Sequence, residues 1–205
     1  GHVGHARPGR DEAEEIQRRR AAALDRRWIW LHQVHGDGVV VFDGAEVTGS
    51  DGDALVTDRP DVALAVFSAD CAPVALSSEE RIIGLVHAGW RGLVTGVLQR
   101  TVEVMRARGA VAIEGVLGPC IRAGCYEFGP ADLDQVAQAL GDDVRATTGW
   151  GTPALDLAAG VRNALRTVGV ELSVDVGACT ACSSSWFSAR ARGEDERQAT
   201  LCWLA

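Results

Sequence analysis

Continuous apolar runs constrain this chain more than any other feature. Residues 62–67 (VALAVF) and 82–86 (IIGLV) carry no polar side chain at either parity, unlike a strand with one wet face. Such strands need cover on both sides, so a layered α/β architecture is expected. Further strands are predicted at 54–57, 74–76, 114–117, 172–176 and 200–204. Two more, at 28–34 and 39–42, flank the turn-rich segment 35–38.

Helical periodicity appears between these runs. Residues 93–108 place Val94, Val97, Leu98, Val102 and Met105 on one face, with Gly109 as the expected C-cap. Residues 132–140 form a short helix closed by Gly141, and Asp156 caps another that reaches Val168 before Gly169. At 11–24, acidic residues at the start and arginines near the end complement a helix dipole. Neither a repeat nor a linker interrupts the 205 residues, so one domain spanning 1–205 is expected.

Charge and composition exclude several function classes. A net charge of −8 argues against a nucleic-acid partner, and an anionic substrate would need a local basic pocket. Six cysteines are too sparse for a disulfide scaffold at this length. The polar N-terminus shows no secretory signal, and no run nears the ~18 apolar residues of a membrane span. A cytoplasmic protein with no membrane contact is therefore expected. The first residue is not Met, so the native chain is expected to begin earlier.

Cys71 and His87 stand at the ends of apolar runs, and His35 follows the predicted strand at 28–34. Thiolate and imidazole are zinc ligands, and three protein ligands leave a fourth position for water or substrate. Three other outcomes stay open: Cys71 as a small buried hydrophobe, both histidines as ordinary core or surface residues, or a metal-free Cys71–His87 dyad. His32 is the weaker ligand candidate, because strand alternation sends it to the face opposite His35. His2 and His5 lie near the terminus.

In HAGWRG (87–92), Gly89 and Gly92 flank Trp90 and Arg91 directly before a helix. Such a turn can bring backbone close to a ligand, with Arg91 clamping a phosphate or carboxylate; a plain strand-to-helix turn fits equally well. Cys179-x-x-Cys182 has the spacing of a redox pair or half a zinc knuckle. No second C-x-x-C accompanies it, so ordinary thiols are expected.

The ordered set LHQVHG (31–36), GDALVT (52–57), SADCAPV (68–74), HAGWRG (87–92), GPCI…CYEFG (118–129), DL (156–157), CT (179–180) and FSAR (187–190) resembles one family. It is similar to the YfiH/YlmD-like proteins, known as polyphenol oxidase or laccase-domain proteins and later assigned purine nucleoside phosphorylase and adenosine deaminase activity. The resemblance implies a layered α/β sandwich with mixed sheets, related to toxin-type cysteine hydrolases. It also implies a metal site, usually zinc with copper as the other candidate, formed by His35, Cys71 and His87. Asp70 and Arg91 would lie beside it as catalytic residues, with Gln33, Asp53 and Arg91 on the substrate side. Family members usually carry an N-terminal Arg-Gly-Gly-Val-Ser-like segment ahead of the stretch that here begins GHVG, and this sequence lacks it.

A zinc-dependent purine nucleoside enzyme is the function expected, acting on a nucleoside and phosphate by phosphorolysis and on adenosine by deamination. In that scheme Arg91 holds phosphate and Asp70 moves protons. The alternatives are a cysteine or zinc amidase acting on peptidoglycan precursors, and a metal-binding interaction module without turnover. Copper-dependent polyphenol oxidation is disfavoured, since five histidines, two of them near a terminus, are too few for a multicopper cluster. A homodimer is the working guess for assembly.

Overall fold

The computed structural model describes residues 18–20 and 22–205. Within the predicted helix at 11–24, residues 18–20 and 22–23 are helical and Leu24 is not; residues 11–17 and 21, like His2 and His5, lie outside the described residues. Eleven strands are present among the described residues. A six-stranded sheet has the order β10-β7-β5-β6-β3-β2, built from β2 (Val39–Val41), β3 (Ala54–Thr57), β5 (Ala72–Ser78), β6 (Ile83–Ala88), β7 (Ile113–Leu117) and β10 (Glu171–Asp175). Its four central strands are antiparallel, and the edges β2 and β10 pair in parallel, so the sheet is mixed. A second sheet runs β1 (Arg27–Ile29), β4 (Val62–Ser68), β11 (Gln198–Trp203), and β8 (Arg145–Thr147) pairs with β9 (Pro153–Leu155) as a hairpin.

Alternation along β6 explains the layering. Ile83 and Leu85 point into a core shared with Ile29, Phe42, Leu64 and Val66, between the two sheets. Val86 and Ala88 point the other way, into a core with Leu93, Leu98, Val102, Met105 and Leu165 from the helices. That is the two-sided cover the apolar runs demanded, and each fully buried Leu contributes roughly 2 kcal/mol. Beyond those N-terminal helical residues, the α-helices are α1 (Trp90–Thr95), α2 (Val97–Ala107), α3 (Pro130–Leu140), α4 (Leu157–Thr167) and α5 (Ala189–Arg192). At Gly84 a Cβ would meet Met105 Sδ at 3.1 Å and Thr101 Cγ2 at 3.2 Å, so the glycine lets α2 close on the sheet. Asp156 caps α4 as expected, accepting the Ala159 N–H at 2.9 Å.

Three local expectations change. The helix at 93–108 starts earlier, at Trp90, and splits where Gly96 takes a left-handed φ of 92°. The strand at 28–34 ends at Ile29. Beyond it the main chain changes partner, with His32 N–H donating to Ser50 O at 2.8 Å and Gly52 N–H donating to His32 O at 3.1 Å. The Gln33 amide then stands in for strand pairing at the end of β4, donating to Phe67 O at 2.7 Å and accepting from Phe67 N–H at 2.8 Å. The β8–β9 hairpin was not expected, because three-residue strands are too short to show a period.

Candidate active site

Register places three of the expected residues together. Pro73 pairs with His87 and Ala54 with Val86, and the His87 N–H continues the β3–β6 ladder by donating to Asp53 O at 2.7 Å. By the same alternation, Asp53, Cys71 and His87 share the sheet face of Leu55, Ala75 and Leu85. They sit at one end of three adjacent strands. The expectation of three strand ends needs amendment at His35, which lies in the loop between β1 and β2.

Asp53 organises that loop. Its carboxylate accepts the N–H groups of Val34 (3.2 Å), His35 (2.9 Å) and Gly36 (2.8 Å), and His87 Nδ1 lies 2.9 Å from Oδ1. His35 has a left-handed φ of 60°, which costs a non-glycine residue roughly 1 kcal/mol or more. Three N–H groups converging on one buried carboxylate offset that cost. Folding back in this way brings the His35 ring 4.9 Å from the His87 ring, edge to face at 76°.

The electrostatics of the cluster oppose its burial and win. Burial pushes Asp53 up, but the His87 hydrogen bond and the loop N–H groups hold it below the usual carboxylate range. Burial likewise raises Cys71, yet the His87 charge and hydrogen bonds from His35 and His87 bring it down to about 6. His87 is lowered by burial and raised more strongly by Cys71 and Asp53, to about 9. At neutral pH the metal-free pair is therefore thiolate and imidazolium.

The donor atoms of His35, Cys71 and His87 all lie within 4.8 Å of one another. One thiolate and two imidazoles suit zinc or copper. With Nδ1 turned to Asp53, His87 has Nε2 left for an ion, and a carboxylate behind a histidine ligand fixes its orientation. A Cβ at Gly89 would lie 3.0 Å from His35 Cδ2 and 3.3 Å from Cys71 Sγ, so HAGWRG does bring bare backbone against these side chains. His32 stays out of the cluster, pairing with Asp51 at the surface at 2.7 Å.

An aromatic wall adjoins the cluster. Trp90 packs edge to face on Phe128 (5.5 Å), and Tyr126 does so on Phe128 (5.2 Å). Arg91 stacks on Trp90 at 4.4 Å and Arg190 on Tyr126 at 5.1 Å. The Tyr126 hydroxyl is pushed up by burial first and then by the nearby Cys71 charge. Tyr126 and Phe128 were not singled out from sequence, and Arg190 entered only as a C-terminal motif arginine. They stood inside the quoted motifs CYEFG and FSAR, but nothing in their spacing joins them to Cys71.

The side chains of Asp70 and Gln33 are both engaged in internal hydrogen bonds. Asp70 Oδ1 accepts the hydroxyls of Thr180 (2.6 Å) and Ser188 (2.7 Å), and Oδ2 accepts Arg190 N–H (2.7 Å). It latches the 180–190 segment beside Cys71 from an unusual φ of 93°. The Gln33 amide is taken up by Phe67.

The family model described as "Multi-copper polyphenol oxidoreductase laccase" matches residues 5–205. A purine nucleoside phosphorylase of Mycobacterium tuberculosis H37Rv is 42% identical over 194 residues, covering 91% of this chain and 77% of that protein. This chain belongs to the YfiH, laccase-domain family. Purine nucleoside phosphorylase YfiH of Escherichia coli K12 is 32% identical over 208 residues, covering 98% of this chain and 84% of that one. Among solved structures, Neisseria meningitidis protein NMB0706 superposes with a TM-score of 0.83 at 30% identity, covering 98% of this chain and 84% of that one. YlmD from Geobacillus stearothermophilus superposes at 0.82 with 29% identity, covering 97% and 82%. The YfiH-family fold is thus the mixed, layered α/β arrangement described above.

Proposed function

We propose that this YfiH-family chain is a metal-dependent purine nucleoside phosphorylase that also deaminates adenosine, with its chemistry at His35, Cys71 and His87. The observation that carries this is the juxtaposition of that three-donor cluster with the wall of Trp90, Phe128 and Tyr126. Relatives named purine nucleoside phosphorylase support the substrate class. Zinc, one of the two metals the donor set suits, would supply a Lewis acid that polarises an oxygen at the site.

The chain's own residues supply the rest. The aromatic wall offers the purine a stacking surface, and Arg91 and Arg190 beside it offer guanidinium groups to phosphate. In phosphorolysis a phosphate oxygen bonds to the ribose C1′ as the C1′–N9 bond breaks. The purine leaves with the electron pair and gains a proton. In deamination water adds at C6 and ammonia leaves. Asp53 keeps the His87 Nδ1 proton in place, so that Nε2 faces the reacting side throughout. Asp70 acts as a positioning residue that sets Arg190. Gln33 acts through Phe67 and the end of β4. Six free thiols and an intracellular substrate class agree with a cytoplasmic setting.

A second reading has its own observation. Cys71, His87 and Asp53 line up as nucleophile, base and orienting carboxylate, with the thiolate formed from about pH 6. In an amidase, Cys71 Sγ would attack the carbonyl, His87 would protonate the leaving amine, and water would hydrolyse the thioester. Multicopper phenol oxidation lacks a histidine cluster among the described residues.

The deciding experiment is a chromatographic product assay on metal-quantified protein given adenosine and phosphate, with Cys71→Ala beside it. Adenine or inosine from the zinc-loaded protein alone, with at least a ~100-fold loss in the variant, is the expected result. Turnover of a muropeptide without any nucleoside product would move the assignment to amide hydrolysis. Bound zinc with no turnover of either would leave an interaction module.

A further inference from the structure

The structure gathers a second metal-type cluster that the C-x-x-C spacing did not complete. Cys125, Cys179 and Cys182 bring their sulfurs within 4.8 Å of one another, and Cys125 Sγ lies 3.2 Å from Cys182 Sγ. Cys125 comes from a short 3-10 turn at Ala123–Cys125, and the other two from the loop after β10. The three thiols are distant in sequence from the nearest donors of the first cluster and include none of its residues.

The turn that carries Cys179 and Cys182 is braced from outside. Cys120 N–H donates to Ala178 O and Thr180 N–H to Cys120 O, while Arg192 donates to the carbonyls of Thr180 and Ala181. A disulfide would use two of the three sulfurs and leave the third unexplained. One ion would use all three.

We propose that Cys125, Cys179 and Cys182 form a second metal site for a thiophilic closed-shell cation, zinc in the first instance. Three thiolates suit zinc or copper(I) and disfavour magnesium or calcium. Cys182 is exposed, so water from solvent can complete four-coordination on that side. Binding exchanges thiol protons for the ion, with no change of oxidation state. The ion would tie the 120–125 turn to the loop whose Thr180 hydroxyl holds Asp70, the residue next to Cys71.

The test is metal content of the full chain, reduced with a phosphine, loaded with zinc and stripped of excess. The unmodified protein is expected to hold two zinc ions per chain. His35→Ala, which removes a donor from the first cluster only, should hold one, and Cys182→Ser should lose the other. Cobalt(II) loaded into His35→Ala should then show thiolate-to-cobalt charge-transfer absorption that Cys182→Ser weakens by a third or more. Because Cys182 is exposed, that variant is the safer one should Cys125→Ser fail to fold. Zinc content that is the same in His35→Ala and in the His35→Ala, Cys182→Ser double variant overturns the proposal, whatever the first cluster holds. So does a Cys125–Cys182 disulfide found by mass spectrometry in protein trapped directly from cells.

Discussion

Asp53 Oδ1 lies 2.9 Å from His87 Nδ1 while the His87 N–H donates to Asp53 O at 2.7 Å, so the pair is joined through both side chain and backbone. Both residues are almost fully buried, and the same carboxylate carries the N–H groups that fold His35 toward them. Asp53→Asn keeps the shape but removes the charge, and its amide cannot accept all of those donors. Zinc affinity, measured by competition with a chromophoric chelator, should fall about 10- to 100-fold with the fold retained by circular dichroism. An unchanged affinity would remove Asp53 from the site.

The metal-free Cys71 thiol should react as though ionised from about pH 6, against an ordinary value of 9.0. Site-resolved mass spectrometry after brief iodoacetamide treatment of chelator-treated protein reads this, and zinc should protect the residue. Cys120 and Cys202, pushed by burial to about 12 and about 11, serve as slow internal controls. A Cys71 rate that rises only near pH 9 would contradict the ion pair.

Global stability should show little slope from this pair. Taken singly, the raised His87 value stabilises below 6.5 and loses that contribution as pH rises through about 9. The depressed Cys71 value stabilises above 9.0 and loses it as pH falls through about 6. Folded and unfolded chains each hold one proton on the pair over most of that interval, so the two effects nearly cancel. The urea midpoint of metal-free protein should therefore gain little slope from this pair between about pH 7 and 8.5; a steep change there would contradict the equal proton count.

Gly89→Ala would drive a methyl group to 3.0 Å from His35 and 3.3 Å from Cys71 Sγ. The expected outcome is weaker metal binding with the far-ultraviolet spectrum kept, since the His35 loop can yield where the sheet cannot. Normal zinc content at unchanged affinity would show that the contact has room to relax.

Asp70→Ala strands two hydroxyls and one N–H, all previously on a buried carboxylate. A loss of about 3 kcal/mol is expected in urea titration, with faster amide exchange across 180–190. Were Asp70 chiefly a proton carrier, turnover would collapse while stability held.

Arg91→Ala and Arg190→Ala should each raise the KM for phosphate about 10-fold or more, the worth of one charged hydrogen bond, with a smaller change in nucleoside KM. Initial rates with phosphate varied at fixed nucleoside check this. Equal effects on both substrates would place the arginines elsewhere than on phosphate.

Much of this protein could be read from residue order. The apolar runs at 62–67 and 82–86 demanded two-sided cover because neither parity offers water a polar side chain, and the strands have it. Cys71 and His87 were legible from their place near the ends of apolar runs, whereas Asp53 entered only through the family resemblance. His35 was found as a motif residue, but its route was misjudged, because the strand leading to it ends at Ile29 where hydrogen bonding shifts to 49–52.

Only the tertiary structure decided the contacts whose partners lie far apart in the chain. Asp70 meets Thr180, Ser188 and Arg190 across more than a hundred residues, Gln33 closes on Phe67, and Cys125 joins Cys179 and Cys182. No local period encodes such meetings. A side chain's nearest neighbours in a strand or helix follow from its backbone geometry, whereas a loop's partners depend on how whole layers stack. The sequence by itself therefore determined the layers and the candidate donors of the first cluster. Packing of the loops against those layers determined what stands around it.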